Sequence, residues 1–193
     1  MARTREFDER QALNAAMLVF WEKGYQATSI QDLEQAMGLR RTSIYNAFGN
    51  KRGIFECVLA CYKESIMSVL FAQLDTAPDI RTGVRRLLEG ALDIHFDDKY
   101  PGGCLVVLSV LESGQHTAAS NDATAQMIHD LRAGLASRLG KAKRLGELPQ
   151  HIDTGSAATA IAGMMAGMMV LGKAHFTRAA LNKSVRQVLR LLD

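Results

Sequence analysis

Residues 28–50 read TSIQDLEQAMGLRRTSIYNAFGN, and this stretch decides the fold. Thr28 is placed to cap a helix, with Gln31 at box spacing three residues on. Ile30, Leu33 and Met37 then share one face, and Gly38 stops the helix. A second short helix, over about 40–47, turns Ile44 and Phe48 inward before Gly49 and Asn50 break it. Two short helices around a glycine-containing turn make a helix-turn-helix, here over 29–48. Such a unit cannot bury its own apolar faces, so its neighbours must cover it. Upstream, a helix starting at Asp8, with Gln11 at box spacing, brings Leu13, Ala16, Met17, Phe20 and Trp21 to one face and stops at Gly24. Downstream, Asn50 caps a long fourth helix over about 51–73 that adds Ile54 and Phe55.

The second short helix then has a free outer face carrying Arg40, Arg41, Thr42, Ser43, Tyr45 and Asn46. Arginine grips guanine through two hydrogen bonds, asparagine does the same for adenine, and hydroxyls take phosphates or base edges. Lys51 and Arg52 open the fourth helix, where the dipole and free N–H groups also favour a phosphate. Alone, Arg40-Arg41 reads as a solvated pair and Tyr45 as a packing residue; their joint spacing on a helix-turn-helix points to double-stranded DNA.

The pattern Phe20-x-x-x-Gly24-Tyr25-x-x-Thr28-Ser29-Ile30-x-Asp32-Leu33-x-x-Ala36-x-Gly38-Leu39, continued by Ser43-Ile44-Tyr45-x-x-Phe48-x-x-Lys51-x-x-Ile54-Phe55, resembles the DNA-binding region of the tetracycline-repressor (TetR) family. The resemblance spans about residues 8–58. It implies that the third helix enters the major groove and that Thr28, Tyr45 and Lys51 touch backbone phosphates, leaving Arg41, Thr42 and Ser43 as base readers. Two positions depart from the family pattern. Arg40 stands where a small capping residue is commoner, and Asn46-Ala47 replaces a commoner aromatic or histidine pair. The family further implies a homodimer on a palindromic operator and a repressor released by a small-molecule or thiol-reactive effector, with helix four as the lever between two states.

The remaining sequence fits an all-α chain of about nine helices. A three-helix head would occupy 6–66 and a helical effector-binding and dimerisation domain 67–193. Of 193 residues, 48% are hydrophobic and three are proline, with few β-branched runs, and the net charge of +3 is too small to argue for nucleic acid by itself. Breaks at Ala77-Pro78-Asp79, Pro101-Gly102-Gly103, Ser113-Gly114 and Leu148-Pro149 separate the later helices. The start is polar with no secretory signal, and three cysteines without metal spacing fit a reducing cytoplasm. Residues 154–172 are uncharged and about the ~20 residues that cross a bilayer, but their glycines and alanines favour a buried helix of a soluble protein over a membrane span.

In that segment Gly163-x-x-x-Gly167 and its alanines allow close helix approach. The resemblance places the dimer interface on the last two helices, where Ala162, Met165, Ala166 and Met169, with Val185 and Leu189, are the expected contacts. The resemblance further implies an effector pocket among the middle helices, where Phe96, Cys104, Leu108, Leu111, Met127, Leu131 and Met165 are the candidate lining. Cys104 sits at a predicted helix start, where the dipole favours a thiolate, whereas apolar surroundings would leave it inert. Its Gly-Cys-Leu context resembles family members in which such a cysteine answers oxidants or electrophiles. His95, His116, His129, His151 and His175 are scattered, no nucleophile elbow or phosphate loop is present, and no metal, cofactor or catalytic residue is expected. Two readings stay open beside the regulator: a helical small-molecule-binding protein or enzyme with a vestigial head, and a non-sensing architectural DNA binder.

Overall fold

A computed structural model of the chain describes residues 8–112 and 118–193. Among these every regular element is helical: α1 (Glu9–Ala27), α2 (Ile30–Met37), α3 (Arg41–Phe48), α4, α5 (Ile80–His95), α6 (Leu105–Leu111), α7 (Ala118–Arg144), α8 (Thr154–Lys173) and α9 (Arg178–Leu189), which ends in a 3₁₀ turn. The long helix α4 runs over Lys51–Tyr62, loosens into a π-helical turn at Lys63–Met67, and continues over Ser68–Asp75. The break expected at Ser113-Gly114 and the residue His116 lie outside the described residues.

Local chemistry sets the helix ends of the head. The Asp8 carboxylate accepts from the Arg10 and Gln11 amides at 2.9 and 3.1 Å. Gly24, at φ 79° and ψ 169°, kinks α1 rather than ending it, and one more turn of helix follows. The cap of α2 is Ser29, not Thr28. Ser29 Oγ accepts from the Asp32 amide and the Asp32 carboxylate accepts from the Ser29 amide, closing the box one residue later than the sequence suggested. Thr28 is buried and its hydroxyl donates to the Gly24 carbonyl at 2.6 Å. Gly38 takes the left-handed conformation that closes α2. Arg40 gives α3 no side-chain cap; instead the Glu34 carboxylate reaches over from α2 and accepts from the Arg41 amide at 2.7 Å. That contact takes over the work of a missing cap, a loss of about 1 kcal/mol where nothing replaces it. Asn50 caps α4 through the Gly53 amide as expected.

Aromatic side chains fill the head. Phe20 meets Phe55 edge-on at 5.1 Å, and Trp21 meets Tyr62 edge-on at 5.2 Å and Tyr100 at 5.3 Å. The second part of α4 packs on α5, α9 packs on α5, and α7 pairs with α8. One apolar core runs from Ala12 to Leu192 and crosses the expected boundary at 66–67 without interruption.

Candidate nucleic-acid interface and sensing cavity

Helix α3 buries Ile44 and Phe48 fully or nearly so, which turns Arg40, Arg41, Thr42 and Asn46 outward, with Ser43 and Tyr45 half-buried at the edges. Arg41 lies along Tyr45: its guanidinium donates to the phenol oxygen at 3.1 Å and its Cζ sits 5.4 Å from the ring centre. Lys51, at the start of α4, donates to the Gln26 carbonyl at 3.2 Å and rests 4.5 Å from the Tyr25 ring centre. Partial burial lowers the Lys51 pKa, while the negative charges of Glu112 and Asp32 oppose that shift. Thr28 departs from its expected role, because its buried hydroxyl points at Gly24 and not at solvent. Arg52 is engaged on its own helix by Glu56 at 2.9 Å.

Four of the seven expected pocket residues converge. Cys104, Met127, Leu131 and Met165 line an apolar cavity of about 40 Å³ between α4, α6, α7 and α8. A second cavity of about 110 Å³, bounded by Lys63, Phe71 and Asp130, shares the walls Met67 and Met127 with the first. The other three residues do not belong. Leu111 is 72% exposed at the end of α6, because that helix buries its opposite side. Phe96 projects into a surface cleft beside Lys173 and Phe176, and Leu108 is half-buried away from the cavity.

Cys104 caps α6 from an extended conformation and lies 3.3 Å from the Tyr62 hydroxyl. Burial, and then the Cys104 charge, push the Tyr62 pKa well above its usual value, so the phenol keeps its proton and can donate it to sulfur. The loop before Cys104 is pinned by His95, whose Nδ1 accepts from the Gly103 amide at 2.6 Å. Burial lowers the His95 pKa, as does the charge of Lys173. Among the described residues no group of three or more His, Cys, Asp or Glu is placed to hold a metal ion.

The expected dimer residues lie on the inward sides of their helices. Ala162, Met165, Met169, Val185 and Leu189 are buried within the single chain, and Ala166 is half-buried in the cavity wall. The opposite side of α8 is the open one: Ala160, Gly163 and Met164 are exposed, and a Cβ added at Gly163 or Gly167 would meet none of the described residues. Helix α8 is long and apolar enough to cross a membrane, yet it is an α7 and α5 packing partner with 39% of its most apolar window buried.

Sequence reasoning missed Glu34, Tyr62 and Glu112. Tyr62 continued the apolar face of α4 and was legible as core, but its partner Cys104 lies 42 residues away. Glu112, bonded to Tyr25 across 87 residues, left no local signal.

Residues 12–58 match the family model for bacterial regulatory proteins of the tetR family, and residues 82–188 match the tetracyclin repressor-like C-terminal domain. The HTH-type transcriptional repressor ComR of Escherichia coli (strain K12) is 26% identical over 194 residues, covering 98% of this chain and 90% of ComR. The uncharacterized HTH-type transcriptional regulator YezE of Bacillus subtilis (strain 168) is 29% identical over 116 residues, 60% of each chain. Among solved structures, a cysteine mutant of the TetR family transcriptional regulator CifR, complexed with 26bp double-strand operator DNA, is 33% identical with full coverage of both chains and a TM-score of 0.92.

Proposed function

Because the chain belongs to the TetR family of DNA-binding transcriptional regulators, we propose that it is a homodimeric repressor, held on a palindromic operator by two α3 helices and released by a small apolar or thiol-reactive effector. The observation that carries the reading is the division of α3, with Ile44 and Phe48 inside and Arg40, Arg41, Thr42 and Asn46 outside. Arg41, Thr42 and Ser43 are the base readers, and Tyr45 and Lys51 hold phosphates. Likeness along the full chain to a relative held on operator DNA supports taking this conformation as the operator-competent one. The name of ComR supports repression over activation.

A second copy covers the open side of α8, where Ala160, Gly163, Met164 and Gly167 leave room for a helix, and sets two α3 helices about 34–36 Å apart. The head at 6–66 reads DNA and the part at 67–193 senses and dimerises, in a reducing cytoplasm where Cys57, Cys61 and Cys104 remain thiols. The effector acts at the cavity beside Cys104. The Cys104 sulfur adds to one carbon of an activated C=C bond: a C–S bond forms, the π bond breaks, and the thiol proton is delivered through solvent to the other carbon. Any adduct outgrows a space of about 40 Å³ and displaces Tyr62, on which Trp21 of the head rests.

Selection of bound duplexes from a random pool, at near-physiological salt, tests the regulator. An enriched palindrome is expected; no enrichment, with binding that vanishes on adding salt, would leave a non-specific binder. With that operator in hand, N-ethylmaleimide should release the wild type and leave Cys104→Ser bound. Equal release of both would remove Cys104 from the mechanism.

A further inference from the structure

We propose that Glu112 is a positioning residue of the DNA-binding head, clasping the kink of α1 so that Lys51 stands against the operator backbone. The inference rests on the regulator reading above. Glu112 follows α6, and its Oε2 accepts from the Tyr25 amide at 2.9 Å. That amide needs a partner outside its helix because Gly24, at ψ 169°, interrupts the i to i−4 ladder at this point. The carboxylate also occupies the space beside Gly24, where any Cβ would collide with it.

Three consecutive residues then carry the contact to Lys51. Gly24 makes room for the carboxylate, Tyr25 donates its N–H to it and offers its ring to the Lys51 ammonium at 4.5 Å, and the Gln26 carbonyl accepts a hydrogen bond from Lys51 at 3.2 Å. Lys51 is thus placed by a segment that Glu112 holds, and it stands in the first turn of α4, where N–H groups and dipole favour a phosphate. The Glu112 charge favours the ammonium form there. At its other end α6 starts from Cys104, which lines the cavity and whose sulfur meets the Tyr62 hydroxyl. One short helix therefore has the cavity at its start and the clasp at its end. A shift of α6 reaches the phosphate-facing lysine without passing along α4.

The test measures operator affinity against salt concentration for the full-length wild type, Glu112→Ala, Glu112→Gln, Lys51→Ala and the Glu112→Ala/Lys51→Ala double variant, with a melting curve for each. The probe is the duplex selected by the wild type. A wild type that selects none overturns the proposed function before any variant is made. Given that duplex, Glu112→Ala should bind about tenfold more weakly and lose about one unit of salt slope per half-site, as Lys51→Ala does. Glu112→Gln keeps an acceptor oxygen and should restore most of both. The double variant should bind no more weakly than Lys51→Ala, because the two residues act on one contact. Wild-type affinity or an unchanged salt slope in Glu112→Ala would overturn the clasp, as would losses that add in full. A Glu112→Gln as defective as Glu112→Ala would also overturn it. If Glu112→Ala does not fold, Glu112→Ser, too short to reach Tyr25, takes its place under the same criteria.

Discussion

The head and the body of the molecule are packed with different materials. Phe20, Trp21, Phe55 and Tyr62 interlock in the head at ring distances near 5 Å, and α1 to α4 each begin on a defined hydrogen-bond acceptor. The body is lined with Met67, Met127, Met165, Met168 and Met169, and it leaves two small cavities among them. Aromatic rings have few rotamers and fix one geometry, whereas methionine has three soft torsions and refills irregular space. A reader of DNA has to hold its helix in one register; a sensor has to change shape at small cost.

The sharpest way to break this contrast is Phe20→Ala, which should destabilise the protein by about 3–5 kcal/mol in denaturant unfolding. Met168→Ala, equally buried, should cost less within the range of about 2–5 kcal/mol for such truncations, because the neighbouring methionines can collapse on the gap. Equal costs would erase the difference between the two regions. Gly163→Glu places a charge on the open side of α8, where an added Cβ meets none of the described residues. Helicity should be unchanged, sedimentation should show a monomer, and operator affinity should fall by about 100-fold or more as the two heads act separately. A dimer that survives would move the interface elsewhere. Arg41→Ala should cost about 1–3 kcal/mol of operator binding and relax preference at one position per half-site. A uniform loss on all duplexes would assign Arg41 to phosphate. Glu34→Ala removes the borrowed cap of α3 and should cost about 1 kcal/mol in stability. Met165→Leu, a volume-conserving change in the adaptable wall, should fall at the low end of a range below about 1.5 kcal/mol while altering the response to thiol reagents.

The same contrast governs what could be read from sequence. The head was legible because its signals are local: Asn50 caps α4, Gly38 closes α2, and Ile44 and Phe48 alternate with polar residues on α3. Its slips were small: Gly24 kinks α1 where a stop was expected, and Thr28 stood for Ser29 as the cap, two adjacent hydroxyls between which Asp32 rather than Gln31 decided. Helix α8 gave no such asymmetry. It carries Ala, Gly and Met on every face, so periodicity located the helix but not its inner side, and the expected interface fell on residues the chain buries itself. The cavity was half-legible for the same reason. Cys104 and Met165 meet there, while Leu111, equally apolar, faces out from a helix end. Contacts such as Tyr62 with Cys104, Glu34 with Arg41 and Glu112 with Tyr25 exist only once distant segments are brought together.

Trp21 is the only tryptophan in the chain, and it lies where the two regions meet, between Tyr62 of α4 and Tyr100 of the loop leading to Cys104. Its buried indole Nε1 has no hydrogen-bond partner among the described residues. The protein therefore carries its own optical gauge at the seam. Indole fluorescence, excited selectively above the tyrosine band, will shift in intensity and wavelength when the rings on either side move. The unlabelled, unmutated chain can then report, in real time, when an event in the body has reached the head.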